Sequence, residues 1–161
     1  MLDSPFVYVA YISTTPERLW QGLTDPEFTA QYWLGRRITS EWREGAAVQA
    51  SRPDGGVEWV GEVLRYEPYT LLSYTFHMQI DEQHRSDAPT RLTFEIEQYV
   101  DSVVRLTLTH DHFENAPVTR ETTRYGWPAL MSSLKSLLET GAPLPFQRFG
   151  FAPRHPSESR N

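Results

Sequence analysis

The chain has 161 residues, no cysteine and a formal charge of −6. That length suits one domain with a sizeable core. The acidic balance, with no basic cluster beyond Arg36-Arg37, argues against nucleic acid as a partner, because phosphate binding needs a basic face.

Phe6 to Ile12 alternates Phe6, Tyr8 and Ile12 against Val7, Val9 and Tyr11, which predicts a first strand partly buried on both faces. In Ser13-Thr14-Thr15-Pro16-Glu17, Thr14 or Thr15 can cap a helix whose first turn holds Pro16 and Glu17. Leu19, Trp20 and Leu23 form its buried face. Asp25-Pro26-Glu27 starts a second short helix carrying Phe28, Tyr32 and Trp33, and Gly35 ends it. A meander follows, with predicted strands at Arg37–Trp42, Ala46–Ser51, Val57–Tyr66, Leu71–Met78, Arg91–Tyr99 and Val103–His110. Turns fall at Glu44-Gly45, Pro53-Asp54-Gly55-Gly56, Glu67-Pro68-Tyr69 and Asp101-Ser102. Asp81 to Ala88 reads as a polar loop.

Trp127, Leu130, Met131, Leu134, Leu137 and Leu138 recur at helical spacing, closed by Thr140-Gly141. They predict a long helix from Val118 to Glu139. Pro128 within it removes the bond to the Arg124 carbonyl. A kink, or a regular part beginning near Trp127, is therefore expected. Residues 142–161 form a tail with four prolines, Phe146, Phe149 and Phe151. It reads as disordered or docked by its aromatics, so the domain is expected over 1–141.

The order strand, two short helices, six strands, long helix resembles the START-like, SRPBCC superfamily. Thr14-Thr15-Pro16-Glu17-Arg18-Leu19-Trp20 with Leu23-Thr24-Asp25-Pro26 and Tyr32-Trp33 is similar to its opening. Gly61-Glu62-Val63-Leu64 through Leu71-Leu72-Ser73-Tyr74-Thr75-Phe76 resembles its central hairpin. Leu106-Thr107-Leu108-Thr109-His110, Gly126-Trp127 and Leu134 to Gly141 resemble its closing strand and helix. The subfamily resembled is the C-terminal-domain type of the heat-shock-protein-90 ATPase activator. The resemblance implies an α+β helix-grip fold, a curved antiparallel sheet of about seven strands wrapped on the C-terminal helix. The chain is too short for the further N-terminal domain of the eukaryotic activator, so ligand binding is expected ahead of chaperone activation.

Candidate chemistry is sparse. His110 and His112, two apart on a strand end, share a face and with Glu114 would suit a metal. Against this, His110 matches the subfamily's ordinary Thr-His position, and no metal is expected. His77 reads as facing away from the helix, and His84 and His155 as surface residues. Glu58 and Glu62 alternate with Trp59, Gly61 and Val63, and which face is inward stays open. Arg91, Glu95 and Glu97 read as solvent-facing, opposite Leu92, Phe94 and Ile96. No Ser/His/Asp set, phosphate-cradling loop or dinucleotide fingerprint is present, so catalytic residues are not assigned and no cofactor is expected.

The aromatics are the stronger lead. Trp33, Trp42, Trp59, Tyr74, Phe76, Met78, Phe94, His110, Trp127 and Met131 are the expected lining of a cavity between sheet and helix, or else the filling of its core. Gly61 beside Trp59 favours a cavity, since a strand glycine admits close approach or a bend. Three readings follow: a binder of an apolar or aromatic small molecule, an interaction or co-chaperone-like module, and a cyclase- or hydrolase-like enzyme. The first is preferred. A hydrophobic small molecule and a second copy of the chain are the candidate partners; nucleic acid and membrane are not. No apolar run approaches the about 18 residues of a membrane span. No basic stretch precedes an apolar one at the N-terminus, so a cytoplasmic setting is expected.

Overall fold

Alternating segments pair into one antiparallel sheet because each has one apolar and one polar side. The computed structural model describes residues 4–146. Its strands are β1 (Phe6–Ser13), β2 (Arg37–Ser40), β3 (Ala47–Ser51), β4 (Val57–Glu67), β5 (Leu71–Met78), β6 (Thr90–Val100) and β7 (Val103–Asp111). They lie in the order β1-β7-β6-β5-β4-β3-β2. Helices α1 (Pro16–Thr24) and α2 (Pro26–Tyr32) follow β1, α3 (Glu82–Ser86) follows β5, and α4 (Pro117–Thr140) closes the domain. This is an α+β helix-grip fold. One sheet face buries Leu72, Tyr74, Phe76, Leu92, Phe94, Leu106 and Leu108 in one core with Leu130, Met131, Leu134 and Leu137 of α4. Each large apolar side chain so buried stabilises by about 1.5–3 kcal/mol before conformational entropy is counted.

The caps act locally. Thr15 Oγ1 accepts from Arg18 N at 3.2 Å, and Asp25 Oδ1 from Glu27 N at 2.8 Å. At the other end of α2, Leu34 and Gly35 both take positive φ, and Gly35 N donates to Ala30 O. That left-handed pair reverses the chain and delivers Arg36 beside the sheet.

Four expectations need correction. The outer face of β1 is not partly buried: Val7, Val9 and Tyr11 are all exposed. β2 stops at Ser40, because Ser40 Oγ accepts from Trp42 N and Trp42 turns left-handed. The segment 81–88 is not all loop. Asp81 caps the five-residue α3, its Oδ1 accepting from His84 N at 2.8 Å. Finally, the regular part of α4 does not begin near Trp127: the helix starts ten residues earlier, at Pro117, and includes Pro128.

α4 lacks a side-chain cap of its own at Ala116. Asp87, buried at the end of α3, supplies one from a distance: its Oδ2 accepts from Thr119 N at 2.6 Å. At the helix's far end, Lys135 Nζ donates to Tyr11 O, and Glu139 Oε2 accepts from Ser13 N at 2.8 Å. These two side chains, ion-paired at 2.9 Å, satisfy backbone groups on the outer edge of β1 that would otherwise invite strand pairing.

Candidate functional site: an aromatic cleft with a charged lip

A cleft of about 460 Å³ opens between the β4–β5 end of the sheet, the turn after α2 and the first half of α4. Trp33 and Leu34 come from that turn, Trp59, Phe76 and Met78 from the sheet, and Thr122, Thr123, Gly126, Trp127 and Leu130 from α4. Ile80, Phe146, Arg36 and Glu58 complete the wall.

The rings form a connected set. Trp33 meets Trp127 edge-to-face at 5.3 Å and Trp59 at 6.1 Å. Trp59 stacks on Tyr74 at 5.3 Å and 12°, and contacts Phe76 at 4.9 Å. Edge-to-face and offset pairs of this kind add about 0.5–1.5 kcal/mol beyond burial. Trp59 is itself buried, yet its Nε1–H has no acceptor among the described residues.

Gly61 makes the sheet behind Trp59 possible. A Cβ there would lie 1.8 Å from the Thr75 carbonyl oxygen, so only glycine admits the approach of β5. Gly126 is a different case. A Cβ there would meet nothing within 4 Å, so its absence leaves open space along the cleft wall of α4.

A bulge creates the lip. Ala50 pairs Trp59 while Ser51 pairs Val57, so Glu58 is an extra residue in β4. The insertion breaks strict alternation, and Glu58 joins the cleft wall although neighbouring Trp59 does too. Its carboxylate lies 3.7 Å from Arg36 Nη2 and 4.0 Å from Arg52 Nη1. Arg36 is held by Nη1 donating to Leu34 O at 2.9 Å. Arg52 also donates to Asp54 Oδ1 at 3.3 Å.

Behind the cleft, His110 is fully enclosed. Trp127 Nε1–H can only donate, and its partner at 2.9 Å is His110 Nδ1. Nδ1 is therefore an acceptor and the ring's proton sits on Nε2, which donates to Thr90 Oγ1 at 2.7 Å. Thr90 Oγ1–H in turn donates to Phe76 O at 2.9 Å. Burial holds His110 down to a pKa of about 3, against a weaker upward pull from Asp111.

A family model described as Activator of Hsp90 ATPase homolog 1-like protein matches residues 13–139. The chain belongs to this family. A search of curated proteins by sequence returned no match. Among solved structures, this family member is similar to protein MLL2253 from Mesorhizobium loti, 26% identical over 84% of this chain and 96% of that one, with a TM-score of 0.69. It is similar in fold to the Aha1 dimer of Colwellia psychrerythraea, with 20% identity, coverage of 86% and 98%, and a TM-score of 0.67. A third is PFC0360w, an HSP90 activator from Plasmodium falciparum, with 17% identity, coverage of 76% and 86%, and a TM-score of 0.62.

In this Hsp90-activator-like domain, the expected lining residues divide. Trp33, Trp59, Phe76, Met78 and Trp127 meet at the cleft. Tyr74, Phe94, His110 and Met131 are buried in the core. Trp42 lines a separate, more open depression with Trp20 and Tyr69, its Nε1 donating to Thr24 O at 3.0 Å.

His110 and His112 do not form a pair: His110 has both nitrogens engaged, while His112 is exposed in a left-handed turn beyond the strand. Among the described residues no cluster of three His, Asp or Glu stands close enough to hold a metal. His84 is a further correction, buried rather than at the surface. Its Nδ1 bonds Asp81 at 2.7 Å and its Nε2 bonds Thr122 at 2.8 Å. His77 is partly exposed, its Nε2 bonded to Arg85 O at 3.0 Å. Phe149 and Phe151 lie outside the described residues. Among these residues no helix is long and apolar enough to cross a membrane.

Proposed function

We propose that the cleft binds a small, largely apolar molecule with an aromatic portion. The supporting observation is the space itself: about 460 Å³ walled mainly by Trp33, Trp59, Phe76, Met78, Trp127 and Leu130. That volume is within the range of small-molecule sites, and an apolar wall with few polar groups is their usual character. Titration with N-phenyl-1-naphthylamine, followed by calorimetry, tests the reading. A saturable one-to-one isotherm that Gly126→Leu weakens supports it; a wild-type protein with no saturable heat removes it.

A second reading, a protein-interaction module that includes self-association, draws on a different surface. Val7, Val9, Tyr11, Tyr99 and Val100 are exposed on the outer side of the sheet, Tyr11 and Tyr99 in contact at 4.9 Å. An apolar patch of this kind is a common mark of an interface. Sedimentation velocity of the full chain and of Val9→Lys tests it. Concentration-dependent mass lost in the variant supports an interface there, and a monomer at all concentrations refutes self-association.

A further inference from the structure

We infer that the ligand of the cleft is amphipathic and anionic: its apolar body lies among the rings and its carboxylate-like group pairs with Arg36 at the lip. The inference rests on the small-molecule reading of the same cleft. Two charged side chains line it, Arg36 and Glu58, and they are unequally served. Glu58 stands between two guanidinium groups, at 3.7 and 4.0 Å. Among the described residues the Arg36 guanidinium has one hydrogen bond, to the Leu34 carbonyl, and its carboxylate partner is beyond hydrogen-bonding distance. Of the five N–H donors of a guanidinium, the others carry no protein acceptor among the described residues.

Arg52 cannot substitute for Arg36 in this role, because it is not part of the cleft wall and Asp54 already accepts from it. The four charges of Arg36, Arg52, Asp54 and Glu58 balance, so the preference for an anion comes from the unserved Arg36 donors. Asp54 is occupied by Arg52 and by Gly56 N, whose bond is 2.8 Å. Glu58 is thus within reach of both arginines, one of which it shares with Asp54. A ligand carboxylate would give Arg36 the planar, two-point partner that guanidinium groups favour, and would leave Glu58 to Arg52. An ammonium group would have to compete with both arginines for Glu58.

The lip is partly exposed, Arg36 at 25% and Glu58 at 16% of the side chain. Screening there is moderate, so the charge preference is expected to be modest and sensitive to salt.

Three probes with one ring system separate the outcomes: 1-naphthoate, 1-naphthamide and 1-naphthylmethylammonium, each titrated into the full chain by calorimetry. Wild-type protein should bind the naphthoate about tenfold more tightly than the amide. Arg36→Gln should remove that preference, with an unchanged circular dichroism spectrum and denaturation midpoint showing that the variant is folded. Glu58→Gln should tighten the naphthoate, by removing the like charge. Equal affinity for naphthoate and amide, or tightest binding of the ammonium probe, overturns the inference while leaving a neutral small-molecule site standing. Failure of all three probes to bind overturns both.

Discussion

Trp127 donates its indole proton to His110 Nδ1 at 2.9 Å. This joins a ring of the cleft wall to the buried floor of the sheet, and fixes which tautomer His110 can hold. Replacing His110 by Phe keeps a planar ring but leaves the Trp127 N–H buried without an acceptor. The expected cost is about 1–3 kcal/mol in urea denaturation. His110→Gln, which has both a donor and an acceptor, should recover part of it.

The same residue predicts a pH dependence. Burial depresses its pKa from 6.5 to about 3, so the folded protein keeps it neutral where the unfolded chain binds a proton. Its contribution is complete above the unfolded value and is lost as pH falls from about 6.5 toward about 3, amounting to at most about 4–5 kcal/mol. Unfolding free energies of wild type and His110→Gln, compared between about pH 7.5 and about pH 5, should converge on acidification. Parallel curves would refute a neutral buried His110. Asp111 contributes in the same direction at lower pH. Burial raises its pKa, but the Arg91 guanidinium, bonded at 2.9 and 2.6 Å, outweighs that and holds it below the usual range.

Gly126 links stability to the cleft. A helix-interior glycine is less favourable than alanine by about 0.5–1 kcal/mol, and here the added Cβ meets nothing. Gly126→Ala should therefore raise the midpoint of denaturation, and Gly126→Leu should keep the fold while weakening ligand binding about tenfold or more. A Gly126→Leu protein that binds normally would show that the ligand lies elsewhere.

Gly61 gives the opposite result. Its missing Cβ is filled by the Thr75 carbonyl, so Gly61→Ala must push β4 and β5 apart. A loss of about 3 kcal/mol or more is expected, read as a lowered denaturation midpoint.

Asp87 caps α4 from across the chain. Asp87→Ala leaves Thr119 N–H buried without its partner and should cost about 1–2 kcal/mol. Hydrogen exchange should quicken first in the turns around Thr119 and Thr122.

Much of this architecture was legible from the chain itself, and the exceptions have physical causes. β5 and β7 could be read because one side of each is fully buried: Leu72, Tyr74 and Phe76, then Val104, Leu106, Leu108 and His110. The long stripe of α4 was equally plain. Glu58 was not, because a single inserted residue changes side-chain parity and nothing in the composition of β4 announces it. α3 is too short to show periodicity, and His84 is buried through Thr122, which lies 38 residues away. Arg36 reaches the cleft through a left-handed turn at Leu34 and Gly35, of which only the glycine is a visible signal.

The Lys135 and Glu139 contacts to β1 carry a consequence for the order of assembly. They join positions 124 and 126 residues apart, and among the described residues β1 pairs only with β7. During synthesis β1 is the first strand to emerge, yet every partner that completes it lies in the last third of the domain. The earlier-pairing strands can form hairpins as they appear, while the inward-facing Tyr8, Ala10 and Ile12 wait for their cover. Closure of such long loops slows folding, so release of the nascent chain past Glu139 is the point at which the domain can close.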